Sequence, residues 1–200
     1  LPLSICLILL ILIIPPPPSL PHHTHTSSYP VLTTPEGMKC ILLTAGHSSV
    51  LESEILADTS GAFSHLNNKP KALLPGPDLR PILDNWWDAL TTTRQRWNDI
   101  YLVTNADKYK HFERWATARG FPRENIINDG TTSGTGGIGA LADFDLVLRS
   151  RAINEDVLVV AGDMLFDPKS FDLDGVLRYF LSCGGELSCY YNMSEGEDTT

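Results

Sequence analysis

Residues 38–75 read MKCILLTAGHSSVLESEILADTSGAFSHLNNKPKALLP. Within them an apolar strand over residues 40–43 empties into a small-residue turn, Ala45-Gly46. A long polar loop follows and ends in Pro70-Lys71-Ala72-Leu73-Leu74-Pro75. A strand that feeds a glycine turn lets backbone N–H groups come close to a phosphate, because no Cβ blocks the approach. Lys71 would add a mobile positive charge for a second phosphate group. The same residues also suit an ordinary βα turn with a surface loop behind it, so the rest of the chain decides.

Outward from this stretch, strand and helix alternate. Residues 80–93 place Ile82, Leu83, Trp86, Trp87 and Leu90 at helical spacing. A second strand spans residues 99–103 and ends in Thr104-Asn105; a helix over 108–119 turns Phe112 and Trp115 inward and stops at Gly120. Residues 125–128 form a short third strand, and a helix over 137–149 carries Ile138, Leu141, Phe144 and Leu148 on one side. The run DVLVVA at 156–161 is almost continuously apolar, as expected of a strand covered on both faces of a parallel sheet. A helix over 171–181 and a strand over 186–192 complete the series. Regular alternation predicts an α/β fold: a doubly wound, mostly parallel, Rossmann-like sheet with helices on both faces. Ligands of such sheets sit beyond the carboxyl ends of the strands, where Gly46, Asn105, Asp129 and Asp163 all fall.

Bulk composition narrows the partners. The chain has 200 residues, enough for one domain with a sizeable core, with 42% hydrophobic and 20% charged residues. A formal net charge of -9 gives no basic surplus to displace counterions, which argues against nucleic acid as the main partner. Nucleotides remain compatible, since they need only one or two local cations and a metal. The four cysteines show no C-x-x-C spacing, and Cys40 in an apolar strand reads as a buried thiol in a reducing compartment. The folded domain is accordingly expected in the cytoplasm, without a membrane.

Residues 1–14 are an apolar run shorter than the ~20 residues of a spanning helix. They lack the positively charged start of a secretory signal. Four prolines at 15–18 and a His/Thr/Ser/Pro mixture reaching Pro35 read as a disordered linker. The first methionine is Met38, so residues 1–37 read as an upstream extension and the folded domain is expected over 38–200; a signal or anchor is the competing account. The last residues follow a strand directly, and the domain reads as cut short there.

Three clusters carry candidate chemistry. Asp163, in Ala161-Gly162-Asp163, stands at the mouth of a buried strand, where a carboxylate needs a neutralising partner. Mg²⁺ bridging nucleotide phosphates suits that position, because it keeps several waters and needs few protein carboxylates; an N-cap or turn aspartate is the plain alternative. Asp167, before Pro168, reads as a turn residue. Asn128-Asp129-Gly130-Thr131-Thr132-Ser133 could contact a base or ribose. Gly134-Thr135-Gly136-Gly137-Ile138-Gly139 matches G-x-G-x-x-G, but the dinucleotide fingerprint requires those glycines directly after the first strand. It therefore reads as a glycine-rich helix entry, with an NAD(P)-binding oxidoreductase as a minor alternative. His47 and His65 are isolated and read as loop residues.

The order strand–Ala-Gly turn, Pro-Lys-Ala-Leu-Leu-Pro, Asn-Asp-Gly-Thr-Thr-Ser and strand–Gly-Asp resembles the nucleotidyltransferases (NTP-transferase or MobA-like domains) that make nucleotide sugars and related activated alcohols. The resemblance covers residues 39–192. It implies that an NMP passes from an NTP to a phosphorylated sugar or alcohol with release of pyrophosphate. By the same resemblance Leu43, Ala45 and Gly46 would hold the nucleotide, Lys71 would contact substrate phosphate, and Asp163 would bind Mg²⁺. Asp129, Gly130 and Gly139 would sit near the nucleoside.

The chain departs from that family's pattern in its first turn. The family continues Gly-x-Gly-Thr-Arg-Leu, whereas this chain reads Gly46-His47-Ser48-Ser49-Val50-Leu51. Ser48 replaces the second glycine and Val50 the arginine that would grip the triphosphate. Loss of a charge-assisted contact at the reacting phosphates typically costs a few kcal/mol of transition-state stabilisation. The family's second metal-binding aspartate would fall beyond Thr200. A nucleotide-binding or regulatory domain that has lost catalysis is therefore the alternative from a different class.

Overall fold

In β2 (Lys39–Leu43) successive side chains enter opposite layers: Cys40 and Leu42 join one hydrophobic cluster and Ile41 the other. Alternation along an all-apolar strand requires cover on both faces, and helices supply it. The structure, a computed structural model, describes residues 5–13, 38–93, 100–183 and 186–192, the first of these segments and residues 190–192 in backbone only. On one face α2 (Ile82–Thr92), α3 (Tyr109–Arg119) and α5 (Leu173–Cys183) deliver Leu83, Trp86, Leu90, Phe112, Trp115, Leu177 and Phe180. On the other, α4 (Ala140–Arg151) packs Val147 against Ile41, Val103, Val157 and Val159.

Parallel pairing joins β2 to β3 (Ile100–Thr104) on one side and to β5 (Val157–Ala161) on the other; β4 (Ile126–Asn128) pairs parallel with β3. The four-stranded parallel core thus runs β4-β3-β2-β5. Counted in chain order among themselves, these strands lie 3-2-1-4, so the order reverses between β2 and β5. A crevice opens at such a reversal because the flanking connections leave toward opposite faces.

Two further strands extend the sheet. β1 (Ile5–Ile13) lies antiparallel between β5 and β6 (Leu187–Asn192), with Ile11 opposite Val159 and Ser188. Part of the stretch expected to precede the domain is thus a strand within its sheet. The physical reason is backbone satisfaction: as a strand, residues 5–13 pair N–H and C=O groups with neighbours on both sides. The expected linker over 14–37 and the end of the chain from 193 lie outside the described residues. Among the described residues no helix is long and apolar enough to cross a membrane.

Element boundaries otherwise follow the periodicity to within a few residues, with two corrections. The polar stretch after Gly46, expected as a loop, contains α1 (Ser49–Ala57). Leu, Glu and Ala favour the helix intrinsically, but Ile55 is its one buried residue and Val50 and Leu56 are each 72% exposed, so no apolar stripe announces it. In α4 the inward face is not the one expected. Leu141 and Ile138 are exposed, while Asp143 and Val147 are buried and Phe144 and Leu148 pack at the margin.

One buried carboxylate ties α2 to α3. Asp84, 1% exposed, accepts from Trp115 Nε1 at 2.9 Å and Arg119 Nε at 3.0 Å. Every burial cost at this charge is met by a donor, as a core carboxylate requires. The aromatic layer beside it continues through Trp86, whose ring lies 4.5 Å from Phe166 and 5.7 Å from Phe171 between centroids.

Candidate functional site

At the reversal between β2 and β5 lies a cleft of about 480 Å³. Leu43, Ala45, Gly46, Lys71, Gly139 and Asp163, six residues expected at a ligand, line it together. Asp129 and Gly130 do not line it; they form the turn after β4, where Asp129 accepts from Thr131 N at 2.7 Å and Thr131 Oγ1 at 2.9 Å. The G-x-G-x-x-G stretch follows β4, a strand at the sheet's edge, and its last glycine caps α4 with φ 91°. That backbone conformation favours glycine strongly.

Each wall of the cleft is fixed by packing. Gly162 N donates to Leu43 O at 3.0 Å, which draws the end of β5 against the end of β2. A Cβ at Gly162 would stand 2.5 Å from Thr44 Cγ2, and Thr44 is itself held by its hydroxyl donating to Val103 O at 2.6 Å. Only glycine allows this approach, so the residue before Asp163 is set by sterics. Beyond Asp163, Trp86 Nε1 donates to Met164 O at 2.9 Å and ties the loop to α2. Asp167 closes its own turn by accepting from Lys169 N and Ser170 Oγ, as a turn aspartate does.

Lys71 opens a short 3₁₀ turn, Lys71–Leu73, whose Ala72 is buried in the core at 2% exposure. The buried alanine anchors the turn and leaves the lysine at the cleft. Lys71 Nζ lies 3.4 Å from Asp163 Oδ2, with the two side chains 51% and 35% exposed. Both charges therefore reach solvent, and their mutual attraction is weak enough for either to be taken up by a ligand.

Behind the cleft runs a buried polar brace that the sequence reading placed only as a strand end and the start of a helix. Asn105, fully buried, donates from Nδ2 to Ala45 O at 2.9 Å and accepts from Lys108 N at the same distance. Lys108, 3% exposed, extends Nζ to Glu52 Oε1 of α1 and to Asn68 Oδ1 at 2.7 Å and Asn68 O at 3.2 Å. Thus the end of β3 holds both the turn at Ala45 and the loop that delivers Lys71. An ammonium this deep is tolerated because three oxygens satisfy its three protons.

Two other residues were missed. His47, expected as a loop residue, lines the cleft, and a Cβ on Gly137 would come within 3.3 Å of its Nδ1. Asp143 also lines the cleft from the first turn of α4 at 6% exposure. Burial, and then the neighbouring Asp129 carboxylate, push the Asp143 carboxyl up to about 7. Among the described residues, His47 Nε2 and Asp143 Oδ1 are the buried side-chain atoms without a hydrogen-bond partner. No sequence signal pointed to Asp143, because the spacing of Ile138, Leu141, Phe144 and Leu148 marks a different face as the inward one.

A larger groove of about 1020 Å³ lies elsewhere, between α2 and α5. Its arginines are already paired, Arg80 with Asp78 and Asp88, and Arg178 with Asp172 and Asp174. It stands away from the β2–β5 reversal and offers no comparable set of open groups. In comparison with known proteins, no family model matches the chain and no curated protein matches it.

Lys108→Met is expected to cost about 2–4 kcal/mol of stability, since it strands Glu52 and Asn68 without their cation; denaturant unfolding measures it. Asp143 gives a pH signature of definite sign. Its carboxyl holds the proton more tightly folded than unfolded, between 3.8 and about 7, so its contribution to stability declines as pH rises through that window and is flat above it. Unfolding temperatures from pH 4 to 8 should therefore fall less steeply for Asp143→Asn than for the parent chain.

Proposed function

We propose that the cleft is a nucleotidyltransferase site, in which an NTP and a small phosphorylated sugar or alcohol meet at the carboxyl ends of β2 and β5. The observation that carries this reading is Lys71 and Asp163 facing each other at 3.4 Å across a strand-order reversal lined by Ala45, Gly46 and Gly139. Gly46 leaves room for phosphate: a Cβ built there meets nothing within 4 Å. Lys71 neutralises phosphate, and Asp163 would hold Mg²⁺. Among the described residues no group of three or more His, Cys, Asp or Glu side chains could hold a metal. Asp163 would offer a hard cation one carboxylate, with waters and substrate phosphates completing its shell, which is how Mg²⁺ commonly binds.

When bound, Mg²⁺ supplies charge neutralisation at the phosphates. Asp163 would hold that cation beside the phosphates, and Lys71 exchanges Asp163 for a phosphate oxygen. An acceptor phosphate oxygen forms a bond to the α-phosphorus while the bond to the pyrophosphate oxygen breaks, and pyrophosphate leaves with the electron pair. Positioning and charge compensation account for most of such a reaction. Cys40, a buried and unbridged thiol, suits the reducing cytoplasm in which these substrates occur.

A second reading, a nucleotide-binding domain without turnover, rests on the first turn. Val50 is 72% exposed where the resemblance has an arginine, and Ser48 holds φ 56°, a left-handed conformation that costs a non-glycine residue about 1–2 kcal/mol. Pyrophosphate release by the full chain separates the two, measured with each NTP, Mg²⁺ and a panel of sugar and alcohol phosphates. Turnover that falls about 10²-fold or more in Asp163→Ala and in Lys71→Met, and rises in Val50→Arg, is expected of a transferase. No release from the parent chain, Ser48→Gly or Val50→Arg would leave the binding domain as the better reading.

A further inference from the structure

Asp129 and Asp143 stand at the two ends of the glycine-rich loop that forms one wall of the cleft. Between them Gly137 and Gly139 line the cleft, and Gly136 and Gly139 hold φ 74° and 91°. The start of the loop is tied to the end of β3: Ala106 N donates to Thr131 O at 2.9 Å, and Ser133 N donates to Asp107 Oδ2 at 2.7 Å. Further on, Thr135 N and Gly136 N both donate to Thr132 O at 3.0 Å, and Gly137 rests against His47. The two ends are joined by a hydrogen bond between the Asp129 and Asp143 carboxyl groups. Asp129 is the acceptor side, engaged also by Thr131 N and Oγ1, and Asp143 is 6% exposed. Two carboxylates have no donor to offer each other, so this bond exists only while one proton lies between them. Once both are ionised, like charges face each other and Asp143 Oδ1 is a buried atom without a partner. Among the described residues neither carboxylate has an ion-pair partner, since Lys71 of the same cleft faces Asp163.

We propose that the Asp129–Asp143 pair is a proton-operated latch: with one proton shared, the two carboxyl groups close the glycine-rich loop onto the start of α4, and when the proton leaves, the loop loosens and that wall of the cleft opens. The device does not depend on what the cleft binds. Burial first, and then Asp129, raise the Asp143 carboxyl from 3.8 to about 7, so the latch weakens as pH rises through that window and is at its weakest above it. The other charged groups around the loop do not reproduce this behaviour. Asp107 is held below the ordinary carboxylate range by the Ser133 N–H and stays ionised across the window. Lys71 and Asp163 face each other from the opposite side of the cleft. His47 touches the loop at Gly137, not at the acid pair, and is separable by mutation.

Hydrogen exchange of the full chain tests the latch, read by mass spectrometry over residues 131–139 from pH 5 to 8.5 and corrected for the intrinsic pH dependence of amide exchange. In the parent, protection of these amides is expected to fall about tenfold or more between pH 5 and 7 and to be level above, while amides of β2 and β5 keep theirs. In Asp143→Asn the side-chain amide donates to Asp129 at every pH, so the loop should stay protected across the range. Asp143→Ala removes the bond, and its loop should be as unprotected at pH 5 as the parent's is at pH 8. Should Asp143→Ala not fold, the parent and Asp143→Asn decide the matter. Histidines titrate in the same range, so His47→Gln is the control, and the parent's pH dependence should persist in it. Loop protection in the parent that does not change with pH overturns the proposal, as does a change that persists in Asp143→Asn or one that His47→Gln abolishes. An equal loss of protection in β2 and β5 also overturns it, because the whole fold rather than the loop would then be responding.

Discussion

A single buried amide holds the cleft together. Asn105 spans the gap between neighbouring strand ends, giving its amide N–H to Ala45 O and taking the backbone N–H of Lys108. Parallel strands fix their registers by ladder bonds, but the turns beyond their carboxyl ends have no ladder and need side chains to hold them. Here Asn105 and Lys108 supply that hold. They tie the Ala45-Gly46 turn and the loop before Lys71 to the end of β3. Polar groups buried this deeply are stable only when fully partnered, and fully partnered they make the backbone around them rigid.

The strand order gives that rigidity its use. Because β2 is paired on both sides by parallel strands and the order reverses beside it, one wall of the crevice comes from the first turn of the parallel core and the other from the last. Lys71 arrives on a third element, pinned from behind by buried Ala72. Three segments remote in sequence thereby place opposite charges 3.4 Å apart in a half-open site. Gly162 is the tightest point of this construction. It brings β5 so close to Thr44 that the residue after it, Asp163, emerges at the mouth of the cleft and nowhere else.

How much of this was legible in the residues depended on whether period or packing decided the matter. The run at 156–161 and the apolar spacing from Ile82 to Leu90 announced themselves, because burial on a regular element leaves a regular pattern. The end-of-strand rule placed Gly46 and Asp163 at the cleft but also Asp129, which does not line it; Leu43, Ala45, Gly139 and Lys71 were expected at a ligand from the family resemblance. Helix α1 stayed hidden because only Ile55 of its nine residues is buried, so the sequence carried propensity without period. Residues 5–13 were read as preceding the domain because composition carries no sign of strand pairing; in the structure they pair with β5 and β6. Asp143 and Lys108 were overlooked for a shared reason. A charged residue on a helix reads as a solvated one until tertiary structure shows which face turns inward.

The account's central claim is that the β2–β5 cleft binds a nucleotide through Lys71 and a cation at Asp163. Thermal unfolding of the full chain with a saturating NTP, with and without Mg²⁺, tests it most directly, because a ligand of the folded state alone must stabilise that state. The account predicts a rise in unfolding temperature for at least one NTP that requires Mg²⁺ and vanishes in Asp163→Ala. A folded protein whose unfolding temperature no nucleotide moves, or a shift that survives Asp163→Ala undiminished, would contradict it.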